Sequence, residues 1–261
     1  MTGVRGHRHL TADGASLYWE EEGDGPRVLM VHGGTGTSAF DWEFVRGPLA
    51  QNYRLLLTDV RGHGESSDPD RRLGIGQIGD DVASLLERCG GCDAIMAFSV
   101  SATAVLALLC RRPSLTRAFV CIGASVTGDP SQVDAILSGP WPTSLKRIEH
   151  RHATDADHWR RLQAALAHSW ADFRLTADDL GALDIPTLVA CGDRDQIEPV
   201  EVALSLSRSV PRGELLVLPD CGHFVSRQRP VELSAAVDAF LARVLSDDRS
   251  GRGPLSAEVS G

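Results

Sequence analysis

Polar residues stand where three apolar runs end. In "DAIMAFSVSATAVLALL", Ser99 separates a short apolar run from a stretch of helix-forming Ala, Val and Leu. In "VACGDRD" a second run closes on Asp193 and Asp195, and in "LPDCGHF" a third is followed by His223. A hydroxyl at a sharp strand-to-helix join suits a nucleophile on a strained turn, whose usual signature is G-x-S-x-G. Here the flanking positions are Ala97 and Ser101. They are the next smallest choices after glycine, although their Cβ atoms narrow the backbone geometry that can be reached. Serine is a poor nucleophile at neutral pH, so the chemistry needs an imidazole to take its proton. A carboxylate behind the imidazole would fix its tautomer and stabilise the imidazolium. Ser101 is the rival nucleophile, but it falls in the first helical turn, on the packing side.

The elements that must position these groups follow from the hydrophobic pattern. "HRHLTADGASLYWEEEGDG" reads as a hairpin turning at Asp13-Gly14. "RVLMVH", "RLLLTDV", "DAIMAF" and "RAFVCIG" are continuous apolar runs, as expected of strands buried on both faces. Between them lie helical stretches at "SAFDWEFVRGPLAQ", "IGQIGDDVASLLERCG" and "SATAVLALLCRR". This alternation is that of βαβ units, so the fold class is α/β. The rhythm fails after about Ala124 and resumes at "IPTLVACGDRD". Residues 1–124 and 184–245 therefore form the core, and 125–183 a helical insertion. Residues 246–261 are small and polar, as expected of a flexible tail.

The order Ser, Asp, His at three strand ends, with "HGGTG", "DVRGHGES", "GDRD" and "GHF" in sequence, resembles the α/β-hydrolase fold superfamily. The resemblance covers residues 5 to 245. It implies a mostly parallel central sheet flanked by helices, with 125–183 as a helical lid. It also implies Ser99 as nucleophile, His223 as general base and acid, and Asp195 as the orienting carboxylate, with Asp193 structural. The oxyanion hole falls to the backbone N–H groups of Gly34 and Val100. His32 and His63 match the family's HG and RGHG motifs and are expected to hold backbone groups. Known dehalogenases and epoxide hydrolases of this fold carry aspartate at the elbow, so Ser99 argues against both.

The activity implied is that of a serine hydrolase of the carboxylesterase type. Its expected substrate is an ester, lactone or thioester of a small, largely apolar metabolite. Acyl transfer, or elimination and cyclisation of a biosynthetic intermediate, is the alternative, and a silent binding protein is the third reading. Phe98, Val100 and Phe224 flank the catalytic positions, and Trp42 follows the oxyanion loop. Trp141, Trp159 and Trp170 belong to the insertion. They either line an apolar pocket or pack the lid onto the core, and both readings stay open at this level.

Composition narrows the classes further. A formal charge of −9 without a basic stripe excludes a nucleic-acid partner. No run approaches the ~20 apolar residues of a membrane span, and "MTGVRGHRHL" lacks a signal-peptide core. A cytoplasmic monomer or homodimer acting on a small molecule is expected. Six scattered cysteines include one lone CxxC (Cys89, Cys92), which suits reduced thiols rather than zinc. His150, His152, His158 and His168 are irregularly spaced, so no metal is expected. "GGTGTS" lacks the dinucleotide-binding spacing, and no cofactor is expected.

Overall fold

The apolar runs become strands of one eight-stranded sheet in the computed structural model, which describes residues 5–69, 72–128 and 158–246. Strands β1 (Arg5–Leu10) and β2 (Ser16–Glu22) form the expected antiparallel hairpin. Gly14 takes the positive φ of +85° that its turn requires. β3 (Arg27–Val31), β4 (Arg54–Asp59), β5 (Ala94–Phe98), β6 (Ala118–Ile122), β7 (Thr187–Gly192) and β8 (Gly213–Leu218) pair in parallel. The sheet order is β1-β2-β4-β3-β5-β6-β7-β8. The chain moves outward from β3 to β4 and then returns to lay β5 on the other side of β3. Strand order therefore reverses at β3, and the loops after β3 and β5 open where ligands collect in such sheets.

Helices cover both faces. They are α1 (Ser38–Asp41), α2 (Arg46–Leu49), α3 (Ile75–Cys89), α4 (Val100–Arg111), α5 (His158–Ala171), α6 (Ala177–Gly181), α7 (Val200–Ser209), α8 (Val225–Gln228) and α9 (Pro230–Ser246). β5 shows how one strand serves two cores. Ile95 and Ala97 pack with residues of α3 and α4, while Ala94, Met96 and Phe98 pack with Trp42 and Phe240. That division is the strand's period of two.

The stretch 38–49, expected as one helix, is two short ones. Pro48 supplies no N–H, and its ring would clash with the Phe44 carbonyl if a single helix ran through. α3 ends as its glycines suggest, with Gly90 left-handed (φ 77°) and its N–H bonded to the Leu86 carbonyl. At its start, Gly74 offers no capping side chain, and Ser169 of α5 accepts the Ile75 N–H at 3.1 Å instead. Below α5, Thr127 pairs with Arg174, and the N–H groups of Leu175 and Gly128 bond to the carbonyls of Val126 and Phe173. Much of the expected insertion, with Trp141, and the tail beyond Ser246 lie outside the described residues. No described helix is long and apolar enough to cross a membrane.

Candidate active site

Ser99 sits at the junction of β5 and α4 with φ 56° and ψ −132°, a conformation a non-glycine residue holds only under local constraint. The constraint is visible. The Ser99 N–H bonds to the Ile122 carbonyl at 2.8 Å, and its carbonyl accepts the Thr103 N–H at 3.0 Å. Ala97 and Ser101, the substitutes for the two usual glycines, are both fully buried. The Ser101 hydroxyl has no hydrogen-bond partner among the described residues, which places it in packing and away from the site.

The turns after β7 and β8 bring the other two groups to Ser99. His223 Nε2 lies 2.9 Å from Ser99 Oγ, and Nδ1 lies 2.8 Å from Asp195 Oδ2. Asp195 uses its second oxygen to accept the N–H groups of Ile197 and Glu198, each at 2.9 Å. Burial works against its charge. The His223 bond and these two N–H groups outweigh it and hold its carboxyl below the usual range. Asp193 points elsewhere, accepting the Cys221 N–H at 3.0 Å. Gly123, at the end of β6, has φ +58°, and a Cβ there would stand 3.0 Å from His223 Cε1. The imidazole packs into that gap and against Phe98, with ring centroids 4.9 Å apart.

The loop after β3 is held from behind. His32 Nδ1 donates to the Gly33 carbonyl at 2.7 Å, while Nε2 accepts the Val60 N–H at 2.9 Å. His32 is wholly buried, and its pKa is pushed down to about 3, so the ring is neutral. His63 Nε2 lies 3.0 Å from the Gly34 carbonyl. The Gly33 carbonyl also accepts the Gly36 N–H at 3.2 Å. Because that peptide is trans, the Gly34 N–H points the opposite way, and it has no acceptor among the described residues. The Val100 N–H opens α4 and is likewise without an acceptor among them. Two N–H groups near one another are therefore left without an acceptor among the described residues, and a Cβ on Gly34 would come within 2.7 Å of Val100 Cγ1.

Among the expected pocket residues, Val100 and Phe224 keep partial exposure beside the triad. Trp42 and Phe98 do not line an opening. Trp42 is fully buried in the core beneath α9, and Phe98 is 2% exposed beneath the imidazole. Trp170 is buried with Leu166 in the α3–α4 core, stacked on Phe173 at 6.2 Å. Of the two readings left open, its position is that of a packing residue. Trp141 and the side chain of Trp159 lie outside the described residues. Among the described residues no cluster of His, Cys, Asp or Glu could hold a metal ion.

Sequence reasoning passed over two buried carboxyls beside this machinery. Asp41 Oδ2 accepts the Gly33 N–H at 2.8 Å, and burial pushes its pKa up to about 7. Glu198, 5% exposed, is pushed up to about 8 by burial and by the nearby charge of Asp195. In "AFDWEF" and "QIEPV" both look like ordinary surface acids near helix ends, and nothing in the spacing distinguishes them.

A mostly parallel sheet with a serine at the elbow after β5, an aspartate on the turn after β7 and a histidine on the turn after β8 defines a class of α/β hydrolytic scaffold. The profile of the alpha/beta hydrolase family matches residues 28–236, and the chain belongs to that family. It is 26% identical to a 2-hydroxymuconate semialdehyde hydrolase of Pseudomonas sp. (strain CF600), over 90% of this chain and 93% of that protein. It is 22% identical to a pimeloyl-[acyl-carrier protein] methyl ester esterase of Nitrosomonas europaea, over 87% of this chain and all of the other. A thermophilic esterase from Thermogutta terrifontis superposes with a TM-score of 0.78 at 22% identity, covering 92% of this chain and 99% of that structure. These relatives support a hydrolase.

Proposed function

We propose that the protein is a serine hydrolase that cleaves an ester, lactone or thioester of a small, largely apolar metabolite through an acyl-enzyme. The observation that carries this reading is the continuous chain from Ser99 Oγ through the imidazole to Asp195, with two N–H groups on adjoining loops that have no acceptor among the described residues. In this mechanism Ser99 Oγ attacks the substrate carbonyl carbon while His223 Nε2 takes the hydroxyl proton. Asp195 keeps the remaining proton on Nδ1 and stabilises the imidazolium. The carbonyl electrons move onto oxygen, which the Gly34 and Val100 N–H groups receive. Donors of this kind each lower the barrier by about 3 to 4 kcal/mol. As the tetrahedral intermediate collapses, Nε2 returns its proton to the departing alcohol, enol or thiol. Water then repeats the sequence on the acyl-enzyme and frees Ser99.

The ester-cleaving relative favours the ester-type substrate, and the half-buried Val100 and Phe224 favour an apolar acyl group at the entrance. The test is covalent labelling by a fluorophosphonate, followed by hydrolysis of short aryl esters. Ser99→Ala is expected to abolish labelling and to lower kcat by several orders of magnitude. Undiminished labelling in Ser99→Ala, lost instead in Ser101→Ala, overturns the reading.

A further inference from the structure

Gly33 lies where the loop after β3 meets the nucleophile elbow. A Cβ there would stand 2.8 Å from Phe98 Cδ1 and 3.3 Å from Ser99 Cβ, so only glycine fits. Glycine also has the freest backbone of any residue, and nothing intrinsic to it fixes the peptide plane that carries the Gly34 N–H. Bonds from outside must do so. His32 and the Gly36 N–H hold the Gly33 carbonyl on that plane. The plane on the other side of Gly33 is held by Asp41, whose Oδ2 accepts the Gly33 N–H at 2.8 Å. With both planes held, φ and ψ of Gly33 are set, and with them the direction of the Gly34 N–H. We propose that Asp41 is a positioning residue for the oxyanion donor at Gly34, acting through the Gly33 N–H. It has this role only if Gly34 receives the oxyanion, as the proposed mechanism requires.

The carboxyl is placed for this contact and for little else. Asp41 is 1% exposed, and Oδ1 is buried with no hydrogen-bond partner among the described residues. A buried polar atom left so costs about 1 to 3 kcal/mol, which an apolar side chain would avoid. The carboxyl also lies against the turn it holds, since a Cβ on Gly36 would collide with both of its oxygens. The helix beneath it is tied at both ends. The Ser38 N–H and hydroxyl bond to Asp59 Oδ1 at 2.9 Å and 2.8 Å, which fixes the start of α1 to the end of β4. At the end of α1, Arg227 of α8 donates to the Phe40 carbonyl, its guanidinium carbon 3.9 Å from the Phe40 ring centroid. Asp41 therefore carries a position set by β4 and α8 into the loop after β3. Its bond to Gly33 needs only an acceptor oxygen, which a carboxylate, a carboxylic acid or an amide supplies.

The experiment measures fluorophosphonate labelling of Ser99 in the full chain, separating the limiting rate from the probe's half-saturation concentration. Asp41→Leu removes the acceptor and keeps the site filled. It should lower the limiting rate about 10- to 100-fold and leave half-saturation within about threefold, because a misaimed donor loses part of what a missing one loses. The Ki of an alkyl trifluoromethyl ketone, whose hemiketal oxygen stands in for the oxyanion, should rise by a similar factor. Asp41→Asn keeps an acceptor for Gly33 and should recover most of both losses. If Asp41→Leu does not fold, Gly36→Ala, whose Cβ pushes the carboxyl off Gly33, should show the same two losses. Labelling at the parent rate in Asp41→Leu, or a loss in Asp41→Asn as deep as in Asp41→Leu, overturns the proposal. A lowered melting temperature with labelling rate and Ki unchanged does the same. Labelling that survives in Ser99→Ala overturns the triad reading itself. Labelling that needs Ser99 but ignores Asp41 removes only the positioning role.

Discussion

Two buried charge constellations in this molecule are built from similar groups and do different work. Beneath the hairpin, Arg61 is fully buried and bonds to Asp81 twice at 2.6 Å, to Asp13 at 3.0 Å and to Asp68 at 3.3 Å. Every strong donor there meets a protein acceptor, and the arrangement is closed. At the sheet edge, Asp195, His223 and Ser99 form a chain that ends on a hydroxyl beside two N–H groups with no acceptor among the described residues. That arrangement is open at the end where a substrate would enter. A closed constellation can only contribute to folding, whereas an open one can lend its interactions to a transition state.

Breaking each constellation should therefore cost something different. The largest effect is expected at the open one. Asp195→Asn should lower kcat by roughly 10⁴-fold, with the melting temperature little changed. Asp193→Asn, whose carboxylate accepts the Cys221 N–H and lies away from His223, should stay within a few-fold of the parent. Steady-state kinetics beside thermal melts check both, and equal losses from the two variants would erase the distinction drawn here.

Next in size is Arg61→Ala. It strands buried carboxylates and should cost about 3 to 5 kcal/mol of stability, measured by urea unfolding. The molecules that remain folded should keep kcat within a few-fold, because no bond from Arg61 reaches the triad. A kcat loss comparable to that of Asp195→Asn would show that the two constellations are coupled.

The smallest expected effect is on the pH dependence of stability, set by the two buried carboxyls near the site. Asp41 and Glu198 have ordinary values of 3.8 and 4.5, raised on folding to about 7 and about 8. Each binds its proton more tightly in the folded chain than in the unfolded one. The stability they contribute is therefore full below about pH 4 and is lost as pH rises through their folded values. Around Arg61 the directions differ, since its guanidinium holds Asp13 well below the usual carboxylate range while burial pushes Asp81 up. The parent's melting temperature should drop by a few degrees between about pH 5 and 8.5, and Asp41→Asn should reduce that drop. An identical slope in Asp41→Asn would mean that its carboxyl is ionised against Gly33 throughout.

Much of the architecture was legible because its causes are local. A strand buried on both faces has to be a short apolar run, and a turn at positive φ favours glycine, as at Gly14 and Gly90. The polar residues at the strand ends were readable for the same reason, since each interrupts a run that otherwise would continue. The break between Asp41 and Arg46 was also written in the residues through Pro48, although the helical spacing around it suggested continuity. The roles of the tryptophans were not readable. Size states how much surface a side chain buries but not which face it buries against, so Trp42 and Trp170 each suited a pocket as well as a core.

The sequence by itself determined the alternating α/β order, the antiparallel hairpin, and a serine, an aspartate pair and a histidine at three strand ends. The family resemblance named Asp195 over Asp193, but the spacing alone did not separate them, and the contact with His223 comes from the tertiary path of a turn held against the loop after β8. Only the tertiary structure decided which acids are buried. A carboxyl's protonation depends on the water removed from around it and on the charges left nearby: burial raises both Asp41 and Glu198, and the Asp195 charge adds to it at Glu198. No local spacing encodes that environment, because it exists only once the strands have been laid side by side.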